Sequence, residues 1–226
     1  MNRREFVKVV GLGSLAVYLS GCGLTAIKTS GNDDDEVAAQ ESVSRGKNMK
    51  IVVINSSPHS EEQSTSRYLA SRFVRGASDV GHEVFVFDAA NEETHPCRGC
   101  DQCGMDGACI FDDAIEEKLM PQMLHADLLV LVTPLYYFGM SAQLKTVVDR
   151  FYSRTTRLGS KKSMIIATAW NSADWTMEAL KVHYETLVRY MGWQDVGQVW
   201  AVGCGSRQMV ESSEFGDLAY KIGAGL

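Results

Sequence analysis

Cys97, Cys100, Cys103 and Cys109 stand within the stretch CRGCDQCGMDGAC, four of the six cysteines of a chain of 226 residues. Their gaps are two, two and five residues. Thiolates are soft ligands, and gaps of two let one loop turn back so that several sulfurs reach a single inorganic centre. The bacterial iron–sulfur spacing C-x2-C-x2-C-x3-C agrees at the first three positions and is shorter at the last. Two other chemistries use the same residues. Zinc takes four thiolates, usually from two separated pairs. A disulfide or a working dithiol forms from neighbouring cysteines in an oxidising compartment. Cys204 stands apart and reads as a small buried apolar residue.

Two further stretches have chemistry in their composition. Asn55-Ser56-Ser57-Pro58-His59-Ser60 is followed by Ser64, Thr65 and Ser66 at the start of a helical segment. Free backbone N–H groups, a helix dipole and hydroxyl donors together suit a phosphate, with Ser57, His59, Ser64 and Thr65 as the candidates. Ser64 or Thr65 would equally serve as a plain helix cap. No Gly-x-x-x-x-Gly-Lys pattern is present, which excludes a nucleoside-triphosphate loop. The second stretch runs Pro134-Leu135-Tyr136-Tyr137-Phe138-Gly139. Three aromatics after a strand-breaking proline suit the flank of a flat apolar ring, and Gly139 lets backbone approach it.

Strands and helices must hold these loops. Ile51–Ile54, Val84–Phe87, Leu128–Val132 and Met164–Ala167 are apolar at every position, and 198–202 is a weaker fifth run. Continuous apolar runs suit strands covered on both faces, as in a parallel sheet. Helix-length segments lie between them at about 65–79, 112–125, 141–154 and 174–191. The alternation predicts an α/β fold, an open parallel sheet of five strands with helices on both faces. Ligands bind such sheets at the carboxyl ends of the strands. That rule selects the loops after the first, third and fourth strands, the last contributing Ala169, Trp170 and Asn171.

The N-terminal part reads differently. Arg3 and Arg4 precede an apolar run from Val9 to Leu19, and Leu19-Ser20-Gly21-Cys22 follows. The order is that of a signal peptide over 1–21 and is too short to span a bilayer. The arginine pair resembles a twin-arginine signal, and the segment before Cys22 resembles a bacterial lipobox, which implies lipid modification of Cys22. Residues 22–47 are polar, carry the run Asp33-Asp34-Asp35-Glu36 and read as a disordered tether. A single domain over 48–226 follows, with a cysteine-rich insertion at about 94–111. The expected location is the extracytoplasmic face of a bacterial membrane, held by a lipid anchor. A net charge of −6 argues against nucleic acid as a partner. No Gly-x-Ser-x-Gly is present, and the five histidines show no metal-type pairing.

Pro134, Tyr136, Leu144, Lys145, Asp149, Arg150 and Phe151, with the Ser56-Ser57-Pro58-His59 loop, resemble the NADPH-dependent FMN reductase and multimeric flavodoxin group. The group's loop usually has arginine where His59 stands. The resemblance implies a flavodoxin-like sheet with the FMN phosphate on Ser57, His59, Ser64 and Thr65. It places the ring against Pro134, Leu135, Tyr136, Tyr137, Phe138 and Gly139, with Ala169, Trp170 and Asn171 as a third wall. The cysteine spacing, with Asp112-Asp113 after it, is similar to the iron–sulfur flavoproteins of that group. That likeness implies one [4Fe–4S] cluster on Cys97, Cys100, Cys103 and Cys109, a homo-oligomer, and electron exchange with a redox partner protein or small carrier. Three activities are compatible with these readings. The first is an exported FMN flavoprotein working with a cluster. The second is an NAD(P)H-dependent FMN or quinone reductase with structural or disulfide-bonded cysteines. The third is a non-catalytic, membrane-tethered binding module.

Overall fold

The computed structural model describes residues 48–226; the segments read as a signal peptide and a tether, with Cys22, lie outside the described residues. Five parallel strands form the sheet: β1 (Lys50–Asn55), β2 (Glu83–Asp88), β3 (Leu128–Tyr136), β5 (Lys162–Thr168) and β6 (Gln194–Ala201). A two-residue strand, β4 (Gly139–Met140), folds back antiparallel on the end of β3. The order β2-β1-β3-β5-β6 is the doubly wound arrangement that reverses direction between β1 and β3. The parallel strands are the five expected from the apolar runs, and β4 is an added hairpin. β6 begins at Gln194, earlier than its apolar run, because Gln194, Asp195 and Gly197 pair with β5 across a bulge.

The continuous apolar runs are explained by two cores, one on each face. Val52, Ile54, Leu129 and Leu131 point to one face, under α2 (Met120–His125), α3 (Ala142–Arg150) and α5 (Glu178–Met191). Ile51, Val53, Leu128, Val130 and Val132 point to the other, under α1 (Thr65–Asp79) and α7 (Phe215–Ala224). A π-helical turn at Ile115–Leu119 leads into α2, α4 (Thr155–Leu158) follows α3, and α6 (Arg207–Glu211) precedes α7.

α7 lies on α1 through glycine. A Cβ at Gly76 would strike the Tyr220 carbonyl, and one at Gly223 would strike the Phe73 carbonyl and come within 2.8 Å of the Ala77 nitrogen. Backbone therefore meets backbone where the two helices cross. In an open helix, Gly→Ala stabilises by up to about 1 kcal/mol. Here Gly76→Ala is expected to destabilise by about 1–3 kcal/mol, because the neighbour is main chain and cannot move aside. A lowered urea midpoint with unchanged slope checks this.

Candidate functional site

The loop after β1 is built by its serines. Ser64 is the N-cap of α1: its Oγ accepts from the Arg67 amide at 3.1 Å and donates to Ser57 Oγ at 2.8 Å. Ser64 is thus buried behind the loop as a cap, while Ser57 and Thr65 line a cavity in front of it. The first-turn amides of Thr65 and Ser66 have no hydrogen-bond partner among the described residues, which leaves two donors at the positive end of a 15-residue helix. Arg67 fixes the loop from behind. Its guanidinium donates to the Ser57 carbonyl at 2.8 Å and the His59 carbonyl at 2.9 Å, and pairs with Asp88 at 2.6 Å.

The loops after β1 and β3 are tied across the switch point by hydroxyls. Ser141 caps α3, accepting from the Leu144 amide, and donates to Ser56 Oγ at 2.9 Å. Ser56 in turn donates to the Val132 carbonyl at 2.8 Å. Thr65 donates to Thr168 Oγ1 at 3.0 Å, which ties α1 to the end of β5.

Between these loops lies a cavity of about 720 Å³, within the range of small-molecule and cofactor sites. Ser57, His59 and Thr65 line one end of it. Pro134, Leu135 and Tyr136 line it from β3, and Ala169 and Trp170 from the loop after β5. The structure thus gathers residues from all three loops selected by sequence. Tyr137, Phe138, Gly139 and Asn171, from the same loops, are not among its lining residues. Tyr137 and Phe138 are the central pair of a hairpin turn, with φ of 45° and 65°, between Tyr136 and Gly139. Two positive φ values define a primed turn, which ordinarily takes Asn or Gly. The turn presents Tyr137 wholly to solvent and sets Phe138 against Trp175, with ring centroids 5.2 Å apart. Asn171 shapes its own loop, accepting from the Ala173 amide through Oδ1.

One wall of the cavity was not visible in the sequence reading. Cys204, Ser206 and Arg207, from the segment after β6, close one wall of the cavity. Trp170 lies against Gly205, where a Cβ would collide with the indole. The signal available was the Gly-Cys-Gly-Ser run directly after the fifth apolar run, a further strand-end loop. Burial pushes the Cys204 thiol and the Tyr136 hydroxyl above their ordinary values. The exposed Glu62 carboxyl is held below its ordinary value, chiefly by backbone and Ser60 hydrogen bonds and to a smaller extent by Arg207.

A second site is the cysteine loop. Positive φ at Gly99, Asp101, Gly104 and Met105 coils it tightly. Cys97, Cys100, Cys103 and Cys109 line one small hollow together with Phe111, Arg150 and Tyr152. All four are free thiols, Cys97 and Cys100 exposed and the other two half-buried. Among the described residues no three His, Cys, Asp or Glu side chains stand in a metal-holding arrangement. The four sulfurs share the hollow without being drawn to one point. Its floor is an unusual ion pair. Arg150, 1% exposed, donates from Nη1 to Asp113 at 2.7 Å and to the His95 carbonyl at 3.0 Å. Its Nε and Nη2 are buried without a hydrogen-bond partner. Burial alone would push the Asp113 carboxyl up. Hydrogen bonds from Arg150 and the backbone N–H groups of His95 and Glu116, with the Arg150 charge, hold it below its ordinary 3.8. On the rim, the hydrogen bond that Tyr152 donates to Asp101 at 2.6 Å pushes its hydroxyl up to about 12. Arg150 Nη2 also faces the Glu116 carboxylate at 3.9 Å, and four soft thiol donors beside the unpartnered Nε–H fit a thiolate-held metal group.

Comparison with known proteins bears on the flavin side of this arrangement. An iron–sulfur flavoprotein of Methanocaldococcus jannaschii is 35% identical over 111 residues, 49% of this chain and 55% of that protein. The chain spans about half the length of the curated iron–sulfur flavoproteins it matches. An FMN-dependent NADH:quinone oxidoreductase of Acidovorax ebreus is 28% identical over 167 residues, 63% of this chain and 77% of that one. Among solved structures, an NAD(P)H:quinone oxidoreductase from Methanothermobacter marburgensis superposes with a TM-score of 0.63 at 19% identity, covering 79% of this chain and 96% of that one. An azoreductase from Bacillus anthracis gives 0.63 at 18%, covering 79% and 100%. These structural likenesses concern the flavodoxin-like fold. The model of NADPH-dependent FMN reductases matches residues 49–206, a stretch that takes in the strand-end loops through Ser206, and on that match the chain belongs to this oxidoreductase family.

Proposed function

We propose that the chain is an exported FMN-dependent oxidoreductase that works with a [4Fe–4S] cluster on Cys97, Cys100, Cys103 and Cys109. The observation that carries the flavin part is the switch-point cavity, where three strand-end loops supply hydroxyls and free helix amides at one end and apolar walls at the other. Ser57, Thr65 and the first-turn amides of α1 would hold the phosphate. Pro134, Leu135, Tyr136 and Trp170 would flank the ring and exclude water from it. When bound, FMN supplies one- and two-electron chemistry and a cluster supplies one-electron transfer. The cluster reading is supported by the four thiols around one hollow and by the iron–sulfur flavoprotein relatives.

Residues 1–21 as a twin-arginine signal, Cys22 as the lipidated residue and 22–47 as a tether complete the reading, with 48–226 as the exported domain. A pre-folded cofactor protein is the expected cargo of such a signal. The partner is a redox protein or small electron carrier, and the working form is a homo-oligomer. A second reading, an NAD(P)H-dependent quinone reductase with structural cysteines, is favoured by the family description and by the Acidovorax relative.

Anaerobic purification of the full chain, with a visible spectrum and an iron count, tests the proposal. Flavin absorbance that bleaches with dithionite and about four irons per chain are expected. A colourless protein that takes up no added FMN overturns it. Bleaching by NADPH in an iron-free protein selects the second reading.

A further inference from the structure

The phosphate end of the cavity is short of positive charge from its own loop. His59 stands there, and the loop from Asn55 to Ser64 carries no lysine or arginine. Arg67 faces backwards, committed to two carbonyls and Asp88. Glu61 and Glu62 add negative charge to the same loop. One guanidinium reaches this end from a different part of the chain. Arg207, the first residue of α6, lines the cavity beside His59, Glu62 and Thr65. Its Nη1 donates to the Glu61 carbonyl at 2.5 Å, its Nε pairs with Glu211 at 2.6 Å, and it lies over the Tyr68 ring at 4.5 Å. These three contacts hold the group against the loop and leave Nη2 without a hydrogen-bond partner among the described residues. The residue also lies beyond the matched family stretch, which ends at 206.

We propose that Arg207 is the cation that recognises the flavin phosphate, delivered across the cavity from α6 in place of a cation in the loop after β1. The proposal rests on the FMN reading and deepens it. An arginine held by a ring face and a carbonyl presents its remaining N–H groups in a fixed direction, which suits phosphate oxygens. Glu62 also lines the cavity, so a phosphate there would meet uncompensated negative charge once Arg207 is removed.

Titration of the full chain with FMN and with riboflavin, which lacks the phosphate, tests the assignment by flavin fluorescence. Arg207→Gln is expected to weaken FMN binding about 10- to 100-fold and to leave riboflavin within about twofold. Arg207→Lys, which keeps the charge and loses the fork, is expected to fall between. His59→Gln is expected to cost FMN less than about threefold at pH 8. Equal loss of both flavins, no loss of either, or a larger effect at His59 overturns the role of Arg207 while the flavin reading stands. A wild-type chain that binds neither flavin overturns both.

Discussion

Replacing Arg150 with methionine is expected to lower the unfolding free energy by about 3–5 kcal/mol, the cost of leaving one buried charge without its partner. Arg150 and Asp113 are 1% and 4% exposed, and their bond is 2.7 Å long. Without the guanidinium, Asp113 keeps the amides of His95, Ile115 and Glu116, with the His95 ring nitrogen 3.4 Å away. For a domain of this size the loss corresponds to a fall of about 6–20 °C in melting temperature. Asp113→Leu combined with Arg150→Met removes both charges, and a similar-sized apolar pair is expected to recover much of the loss. The pH profile has a defined sign. The Asp113 carboxyl is held below 3.8 in the folded chain. It therefore contributes stability that is present above the unfolded value near 4 and is lost as pH falls through the folded one. Urea midpoints from pH 7 down to pH 3 should show that acid decline in the wild type and a flatter one in Asp113→Asn.

The second large effect concerns iron. Alanine at any one of Cys97, Cys100, Cys103 or Cys109 is expected to cut anaerobic iron content at least about tenfold, because a cubane site lacking one thiolate loses its metal during isolation. Cys204→Ala should leave the iron count alone, since Cys204 lies in the other cavity. Iron retained through all four substitutions removes these cysteines as ligands. Zinc in place of iron in the wild type assigns a structural site. A wild-type mass lower by two or four hydrogens, without metal, assigns disulfides.

The buried strands were legible because their apolar runs have no alternation, and the two cores explain why: each strand has a core on both sides. α1 was legible because hydroxyls precede a clean amphipathic stretch, and its bounds agree with the segment read from sequence. α6 and α7 were not. Gly216 and Gly223 lower helix propensity, yet the same small residues let α7 approach α1 closely. The first-loop serines were found as a group, but sequence could not divide them into the cap, Ser64, and the cavity-facing Ser57 and Thr65. Arg67 and Arg207 were missed because nothing in their local sequence distinguishes them from solvated helix cations. Only the fold turns one behind the loop and brings the other to it. Tyr137 and Phe138 were read as flanking a ring because they follow a strand-breaking proline together with Tyr136. Their left-handed turn sends one into solvent and the other to Trp175.

The parallel sheet has one more consequence. β1 begins at Lys50 and runs six residues, about 20 Å, before the chain reaches the serine loop. The peptide that feeds the strand thus arrives at the floor of the molecule, and the cofactor doorway opens from its roof.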